Sequence, residues 1–256
     1  MAFTDLHFFS TALQVQVSVW VILPEKSMGI GVEAGGEAAL PQVLYLLHGY
    51  SDDHTIWLRR TSVERYAAQH NLAVVMPAVN HSFYTNEACG ERYWDFVSEE
   101  LPNAVQRFFR LSAAPEDTYV CGLSMGGYGA MKLALTYPER YAAAASFSGA
   151  VDIADMSHRT GERLTNMRRI FGDTDAVAGS DNDLFALLER DRSAPRRPRL
   201  YIACGEDDFL YHQHKKFWPA AKEAGFEVTH YEKPATGHEW AFWDEQVKVF
   251  IDRYIR

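Results

Sequence analysis

Five residues, Gly122-Leu123-Ser124-Met125-Gly126, constrain the backbone of this chain more than any other short stretch. They stand between an apolar, strand-like segment, TYVCGL, and a helix-like segment that begins MGGYGAMKLAL. A serine in this G-x-S-x-G setting lies on a sharp, strained turn, and the flanking glycines let strand and helix approach closely. The pattern therefore predicts a strand-turn-helix unit that presents Ser124 above the carboxyl end of a strand.

Apolar segments of strand length alternate with segments of helical periodicity along the rest of the chain. Pro102 should kink or interrupt one helix near Leu101, because proline removes a helical hydrogen bond. The alternation predicts an α/β fold with a doubly wound, mostly parallel sheet. The predicted strands are 13–23, 42–49, 72–79, 117–123, 142–149, 198–205 and 226–232, and the predicted helices are 55–70, 91–110, 125–137, 211–224 and 239–255.

Two segments depart from this alternation. Residues 28–41 are rich in glycine and predict a surface turn between strands. Residues 150–195 are charged and weakly periodic, which fits either a cap-like helical excursion over the strand ends or a surface decoration without function. We expect residues 1–256 to form one domain that includes this segment, since 256 residues with 47% apolar content can bury a single core of ordinary size.

Charge and composition argue against several classes of function. A net charge of -9 does not suit binding to nucleic-acid phosphates, and no apolar run approaches the roughly 20 residues that span a bilayer. The N-terminal stretch MAFTDLHFFSTALQ lacks the basic and continuous apolar regions of a signal peptide, so we expect a cytoplasmic location. Three widely spaced cysteines favour neither a disulfide framework nor a zinc site, and we expect no metal and no organic cofactor.

A serine hydroxyl becomes a nucleophile when a histidine base takes its proton and an acid orients that histidine. In hydrolases built on such a sheet, the acid and then the histidine follow the serine along the chain. His238 is the best candidate base, because it lies in ATGHEW between the last predicted strand and the last helix. The stretch YIACGEDDFLY supplies the acid, with Asp208 favoured and Asp207 as the alternative.

The backbone N–H groups of Met125 and Tyr50 are the candidate donors for an oxyanion hole. Met125 begins a helix, where N–H groups are free, and Tyr50 follows Gly49 in a loop after an early strand. His48 precedes this glycine, and we expect it to be structural, with its ring bonded to backbone.

Aromatic residues cluster in the loops that should face the strand ends. Trp57, Trp94, Phe209 and Trp240 are candidates for the lining of a substrate pocket, together with Tyr84 and Tyr93, although each could equally belong to the core.

Seven stretches between about residues 43 and 243 carry a family pattern: VLYLLHGYSDDHTIWLRRTSVER, VVMP, EELP, GLSMGGYGAMKLAL, AASFSGA, CGEDDFLY and GHEWAFW. They resemble the esterase D and tributyrin esterase branch of the α/β-hydrolase superfamily. The resemblance implies Ser124 as nucleophile, His238 as base and Asp208, which stands directly before FLY, as acid. It also implies Tyr50 and Met125 as oxyanion donors.

The reaction that follows from these residues is hydrolysis of a small ester with a short acyl or an aryl group, through an acyl-enzyme. Relatives implied by the resemblance include feruloyl (cinnamoyl) esterases and S-formylglutathione hydrolases, but the latter usually carry a cysteine in the oxyanion loop, where this chain has HGYSDD. A serine peptidase and a ligand-binding module that keeps the triad without turnover are the alternatives from other classes. The partner is a small-molecule ester, and assembly into a homo-oligomer stays open.

Overall fold

The computed structural model describes residues 1–25, 39–157, 162–190 and 194–256. Most of the glycine-rich segment predicted as a surface turn, 28–38, lies outside these ranges. The strands are β1 Ala2–Ser10, β2 Val15–Leu23, β3 Gln42–Leu47, β4 Leu72–Pro77, β5 Thr118–Leu123, β6 Ala143–Phe147, β7 Arg199–Gly205 and β8 Val228–Lys233. The α-helices are α1 Ile56–Arg60, α2 Val63–Ala67, α3 Tyr93–Asp95, α4 Leu101–Phe108, α5 Met125–Thr136, α6 Ile153–Ser157, α7 Glu162–Phe171, α8 Leu184–Arg190, α9 Tyr211–Glu223 and α10 Trp240–Tyr254.

These strands form one eight-stranded sheet in the order β1-β2-β4-β3-β5-β6-β7-β8. Every pair from β4 to β8 is parallel, and only β1 with β2 and β2 with β4 are antiparallel. The predicted α/β fold with a mostly parallel sheet is confirmed. Strand order changes direction between β3 and β5, and open α/β sheets bind ligands at such a point, outside the carboxyl ends of the strands.

Helices cover both faces of the sheet and create two cores. Along β3, Val43, Tyr45 and Leu47 face the core that includes α5, α8 and α9. The alternate residues Leu44 and Leu46 face the other core, which includes α1, α2 and α10. A strand buried on both faces reads as a continuous apolar run, which is how this strand appears in the sequence.

The sequence-based assignment missed β1. Its apolar residues lie on both faces, since Phe8 is buried whereas Phe3 and Phe9 are exposed. This distribution obscures the two-residue alternation by which a half-buried strand is recognised.

The helix predicted at 55–70 is two short helices, α1 and α2. Thr61 between them is extended, with φ of -134° and ψ of 173°. The Thr61 hydroxyl donates to the Trp57 carbonyl (2.6 Å), and the backbone N–H of Ser62 donates to the Asp244 carboxylate of α10 (3.0 Å). The Thr61 hydroxyl offers the backbone an alternative to helical pairing. The hydrogen bond from Ser62 to α10 stabilises the break between the two helices.

The helix predicted at 91–110 is also divided. A π-helical turn, Phe96–Glu100, separates α3 from α4, and Pro102 lies in the first turn of α4. Residues on both sides of the junction keep helical backbone angles, so Pro102, which cannot donate a helical hydrogen bond, stands where the helix changes type and not at a free helix start. The predicted interruption near Leu101 is therefore present, as a change of helix type.

The excursion at 150–195 is helical in its described part, with α6, α7 and α8. Residues 158–161 and 191–193 of it lie outside the described ranges. No helix within the described ranges has the length and apolarity needed to cross a membrane.

Helix α10 offers a matched test of the core that it covers. Val247 is fully buried and Val249, two residues on, is 36% exposed. We expect Val247→Ala to lower the free energy of unfolding by about 2 kcal/mol, since two buried methyl groups are lost and a cavity remains. Val249→Ala should change it by less than about 0.5 kcal/mol. Urea titration followed by circular dichroism measures both, and equal losses would contradict this packing.

Candidate active site

Ser124 lies on the turn between β5 and α5 in a strained backbone conformation. Its φ of 52° and ψ of -117° are unusual for a residue with a side chain. The turn is held on both sides by neighbouring backbone, because the Ser124 N–H donates to the Phe147 carbonyl (2.9 Å) and its carbonyl accepts from the Ala150 N–H (3.1 Å). The strain that the sequence predicts is thus present and supported by β6 and the loop after it.

The two glycines of the motif have a packing reason. A Cβ on Gly122 would stand 2.5 Å from the carbonyl group of Gly126, and a Cβ on Gly126 would stand 2.4 Å from the Leu47 carbonyl oxygen. Both distances are far below van der Waals contact. Any side chain at either position would push α5 away from β5 or from the end of β3.

Asp208 and His238 form a hydrogen-bonded pair at the ends of β7 and β8. The Nδ1 atom of His238 lies 2.8 Å from Oδ2 of Asp208. The other carboxylate oxygen accepts the Leu210 N–H at 2.8 Å, and the Asp208 carboxylate is buried. A carboxylate fixed in this way holds the imidazole with Nδ1 as the donor, which leaves Nε2 free as a base.

The neighbouring acids do not take this position. Glu206 and Asp207 are exposed, and their backbone N–H groups bond the Lys233 and Thr236 carbonyls of the chain segment that leads to His238. Gly205 lets this segment approach, since a Cβ there would stand 2.1 Å from the Thr236 carbonyl oxygen. Of the two acids left open from residue pattern alone, the structure pairs Asp208 with the histidine.

Two aromatic rings position His238. The Phe209 ring lies 4.6 Å from the imidazole, centroid to centroid, and the Trp243 ring meets it edge-on at 4.8 Å. The Trp243 indole N–H donates to the Ser148 hydroxyl (3.1 Å), which fixes the indole. Sequence reasoning did not single out Trp243, because a tryptophan inside an amphipathic helix has the pattern of a core residue.

An apolar cavity of about 260 Å³ connects these parts. Ser124, Met125, Tyr50 and Phe209 all line it. Phe209 also contacts His238, and the Leu210 N–H bonds the Asp208 carboxylate, so two residues of the cavity wall contact the Asp208–His238 pair.

The cavity wall includes both predicted oxyanion donors. Tyr50 begins the loop after β3 and Met125 begins α5, on the two sides of the point where strand order changes direction. Within the described residues, neither the N–H of Tyr50 nor that of Met125 donates to a protein acceptor. Unpaired N–H groups of residues that line one cavity are candidates to stabilise an oxyanion.

His48 is structural, as expected. Its Nδ1–H donates to the Gly49 carbonyl (2.7 Å), and its Nε2 accepts the Val79 N–H (3.0 Å). Burial lowers the pKa of His48 to about 4, so the ring stays neutral and keeps both bonds. It anchors the loop that carries Tyr50.

The excursion supplies part of the cavity wall that the sequence did not identify. Met156 of α6 and Asn166 and Met167 of α7 line the space beside Ser124, with Phe83 and Ala150 from other loops. In the sequence, the two methionines of this charged, weakly periodic segment were the only indication that it lines a cavity. We call the described part of the excursion the cap, since residues of its helices form part of this cavity wall.

The four predicted pocket aromatics do not lie together. Phe209 lines the cavity and is 60% exposed. Trp57 and Trp240 pack edge to face at 5.3 Å in the core beside α10, and the Trp57 indole N–H donates to the Leu47 carbonyl (3.0 Å). We therefore correct the pocket prediction for these two tryptophans, because Trp57 is buried in this core and Trp240 is half-buried against it.

Trp94 lies at a different cavity. Its ring covers the ammonium group of Lys132, with Nζ 4.3 Å from the ring centroid. Tyr84 and Tyr93 are buried core residues. The pocket prediction is corrected for these three residues as well, because α3 and the loop before it fold against the side of α5 rather than over its N-terminus.

Known proteins that are similar to this chain include esterases and serine hydrolases. Residues 10–250 match the model of the Esterase family, described as "Putative esterase". An acetyl esterase of Caldicellulosiruptor saccharolyticus is 31% identical over 255 residues, which cover 96% of each chain. Fluorophosphonate-binding serine hydrolase F of Staphylococcus aureus is 32% identical with a TM-score of 0.88, over 100% of this chain and 98% of that one. An S-formylglutathione hydrolase of the same organism is 32% identical with a TM-score of 0.85, over 100% and 99%.

The glycine packing at the turn can be tested by a matched pair of substitutions. We expect Gly126→Ala to lower the free energy of unfolding by about 3 kcal/mol, since the new methyl group would overlap backbone oxygen that cannot move away. Gly237→Ala adds a methyl group with no atom within 4 Å and should be tolerated. Thermal unfolding of the two variants checks this, and equal melting temperatures would contradict the close approach.

Proposed function

The chain belongs to the Esterase family and is an ester-hydrolysing enzyme of the α/β-hydrolase superfamily, and we propose that it is a serine carboxylesterase for short-chain acyl or aryl esters. The observation that carries this proposal is the cavity beside the strained Ser124, whose wall residue Phe209 also contacts His238 of the Asp208–His238 pair. The finer placement in the tributyrin esterase and esterase D branch rests on the motifs GLSMGGYGAMKLAL and GHEWAFW.

The proposed reaction uses each of these groups once per half-reaction. Nε2 of His238 accepts the Ser124 proton as Oγ attacks the ester carbonyl, and Asp208 stabilises the imidazolium. The oxyanion accepts hydrogen bonds from the backbone N–H groups of Tyr50 and Met125. The alcohol leaves with the proton from His238, and water then repeats the sequence on the acyl-enzyme, releasing the acid and restoring Ser124.

The cavity suggests the substrate class. At about 260 Å³ it lies near the lower end of ligand sites, and Met156, Met167 and Leu210 make its wall largely apolar. This favours a short acyl chain. Phe83 and Phe209 could instead flank an aromatic acyl group, which is why aryl esters stay within the proposal.

A thioesterase resembling S-formylglutathione hydrolases is the second candidate. The Staphylococcus aureus enzyme of that name supports it by 32% identity over the whole chain. The loop sequence HGYSDD counts against it, because S-formylglutathione hydrolases of this fold usually have a cysteine there. We therefore place oxygen esters first.

A cytoplasmic location is also part of the proposal. All three cysteines are free thiols, and Cys121 and Cys204 are buried, away from any partner for a disulfide. Free thiols are typical of proteins from reducing compartments.

Three substitutions test the proposed catalytic residues. Ser124→Ala should lower kcat for p-nitrophenyl butyrate by at least about 10⁴-fold, and Asp208→Asn should cost about 10⁴-fold by leaving the wrong imidazole tautomer. Asp207→Asn is the matched control and should stay near the wild-type rate, since its side chain is exposed. Steady-state kinetics with p-nitrophenyl acetate, butyrate and octanoate and methyl ferulate measures each rate. A greater loss from Asp207→Asn would reject the assignment of the acid.

The role of the cap in chain-length selection has its own test. Met167 is buried in the cavity wall, so Met167→Ala should lengthen the acyl site. We expect the ratio of kcat/KM for octanoate over butyrate to rise about tenfold, within the range known for pockets that gain or lose methylene space. Met167→Leu keeps the volume and should leave the ratio unchanged. An unchanged ratio in the alanine variant would mean that the acyl chain lies elsewhere.

A further inference from the structure

A second cavity lies along the C-terminal half of α5 and shares no lining residue with the catalytic cavity. Its volume is about 480 Å³. Lys132, Leu135 and Thr136 of α5 form one wall, and Asn182 and Arg190 of the cap form another. Cavities of this size with a few convergent polar groups are typical of small-molecule sites.

The most unusual group in this wall is the Lys132 ammonium. Its side chain is only 3% exposed, and Nζ donates to the Thr85 hydroxyl (2.5 Å) and to the Asn182 side-chain oxygen (2.7 Å). Trp94 covers it at 4.3 Å. Among the described residues, no carboxylate forms a salt bridge with this ammonium group. Buried charges are normally paired, so a buried lysine with only neutral partners leaves positive charge uncompensated in the cavity wall.

A second, independent observation is an unpartnered hydroxyl. Oγ1 of Thr136, one helical turn after Lys132, is buried and has no hydrogen-bond partner. Buried polar atoms are almost always satisfied, so an orphaned hydroxyl in a cavity wall points to a polar ligand atom. Arg190, which pairs with the exposed Asp181 at 2.7 Å, adds a guanidinium at the outer edge of the cavity.

We propose that this cavity is a second binding site, separate from the catalytic one, for a small organic carboxylate with a short apolar group. The carboxylate lies against the Lys132 ammonium and accepts a hydrogen bond from the Thr136 hydroxyl. The apolar group packs on Leu135 and Leu187, which also line the cavity. The acid released by ester hydrolysis has this chemistry, a link that rests on the proposed function. The site itself does not depend on it.

The site is connected to the catalytic cavity through two elements. Lys132 lies on α5, whose first residue, Met125, lines the catalytic cavity. Asn182, which accepts from Lys132, also receives the Tyr128 hydroxyl on its backbone carbonyl (2.9 Å). The segment that carries Asn182 follows α7, the helix of Met167. A carboxylate at Lys132 would therefore bind between α5 and the cap.

Protonation should control this binding. Burial lowers the pKa of Lys132 to about 7, and the carboxylate of Asp181 opposes that shift. Only the ammonium form attracts an anion, so the affinity is greatest below pH 7 and falls by about tenfold per pH unit above it. The other charged groups of the lining are Arg190 and Asp181, which pair with each other at 2.7 Å.

The test is a tryptophan-fluorescence titration of the full chain with sodium butyrate at constant ionic strength, at pH 6.5 and pH 8.5. Trp94 is the reporter because its ring covers the ammonium group. We expect saturable binding at the lower pH that is more than tenfold weaker at the higher pH. Lys132→Met should weaken binding more than tenfold, whereas Lys222→Met, on the exposed part of α9, should match the wild type.

Thr136→Val is a second test of the site, which applies even if the Lys132→Met variant folds poorly. It removes a hydroxyl that has no protein partner, so the melting temperature should not fall while butyrate binding weakens several-fold. Wild-type affinity in this variant, or butyrate binding that is unchanged by Lys132→Met, would overturn the site. Phosphate that binds as tightly as butyrate would overturn the carboxylate assignment. Because the readout is binding, it stands even if Ser124→Ala leaves hydrolysis intact.

Discussion

The close approach of α5 to the end of β3 is the constraint on which the rest of the site depends. The Leu47 carbonyl oxygen and the backbone of Gly126 come so close that no side chain fits between them. This contact brings the loop after β3 against the first turn of α5. Tyr50, in the loop after β3, and Met125, the first residue of α5, therefore line one cavity.

The remaining parts of the site are arranged around this contact by rigid neighbours. His48 holds the loop of Tyr50 through two backbone bonds, and Gly205 lets the chain before His238 approach β7. The cap contributes Met156 and Met167 to the cavity wall, and methionine side chains adapt to different neighbours more readily than branched residues do. The proposed catalytic groups thus lie at strand ends, and residues of the excursion form part of the proposed substrate site.

Much of this arrangement could be predicted from the sequence. The strand-turn-helix around Ser124 and the parallel sheet follow from local pattern, since periodicity and glycine placement depend on neighbouring residues only. The resemblance to a known family decided in favour of Asp208, and its pairing with His238 agrees with that choice. The positions of the aromatic residues were harder to predict. Trp57 in the core and Phe209 in the cavity have equally loop-like sequence surroundings, and their burial depends on contacts distant in the chain.

The two-sided burial of β3 also limits how this protein can evolve. Its odd-numbered residues, such as Tyr45, fill one core and its even-numbered residues, such as Leu44, fill the other. Loss or gain of one residue inside the strand would exchange the two sets and move the Leu47 carbonyl away from α5. Lineages can therefore replace side chains along β3 one at a time, whereas changes in chain length must accumulate in the loops and the cap.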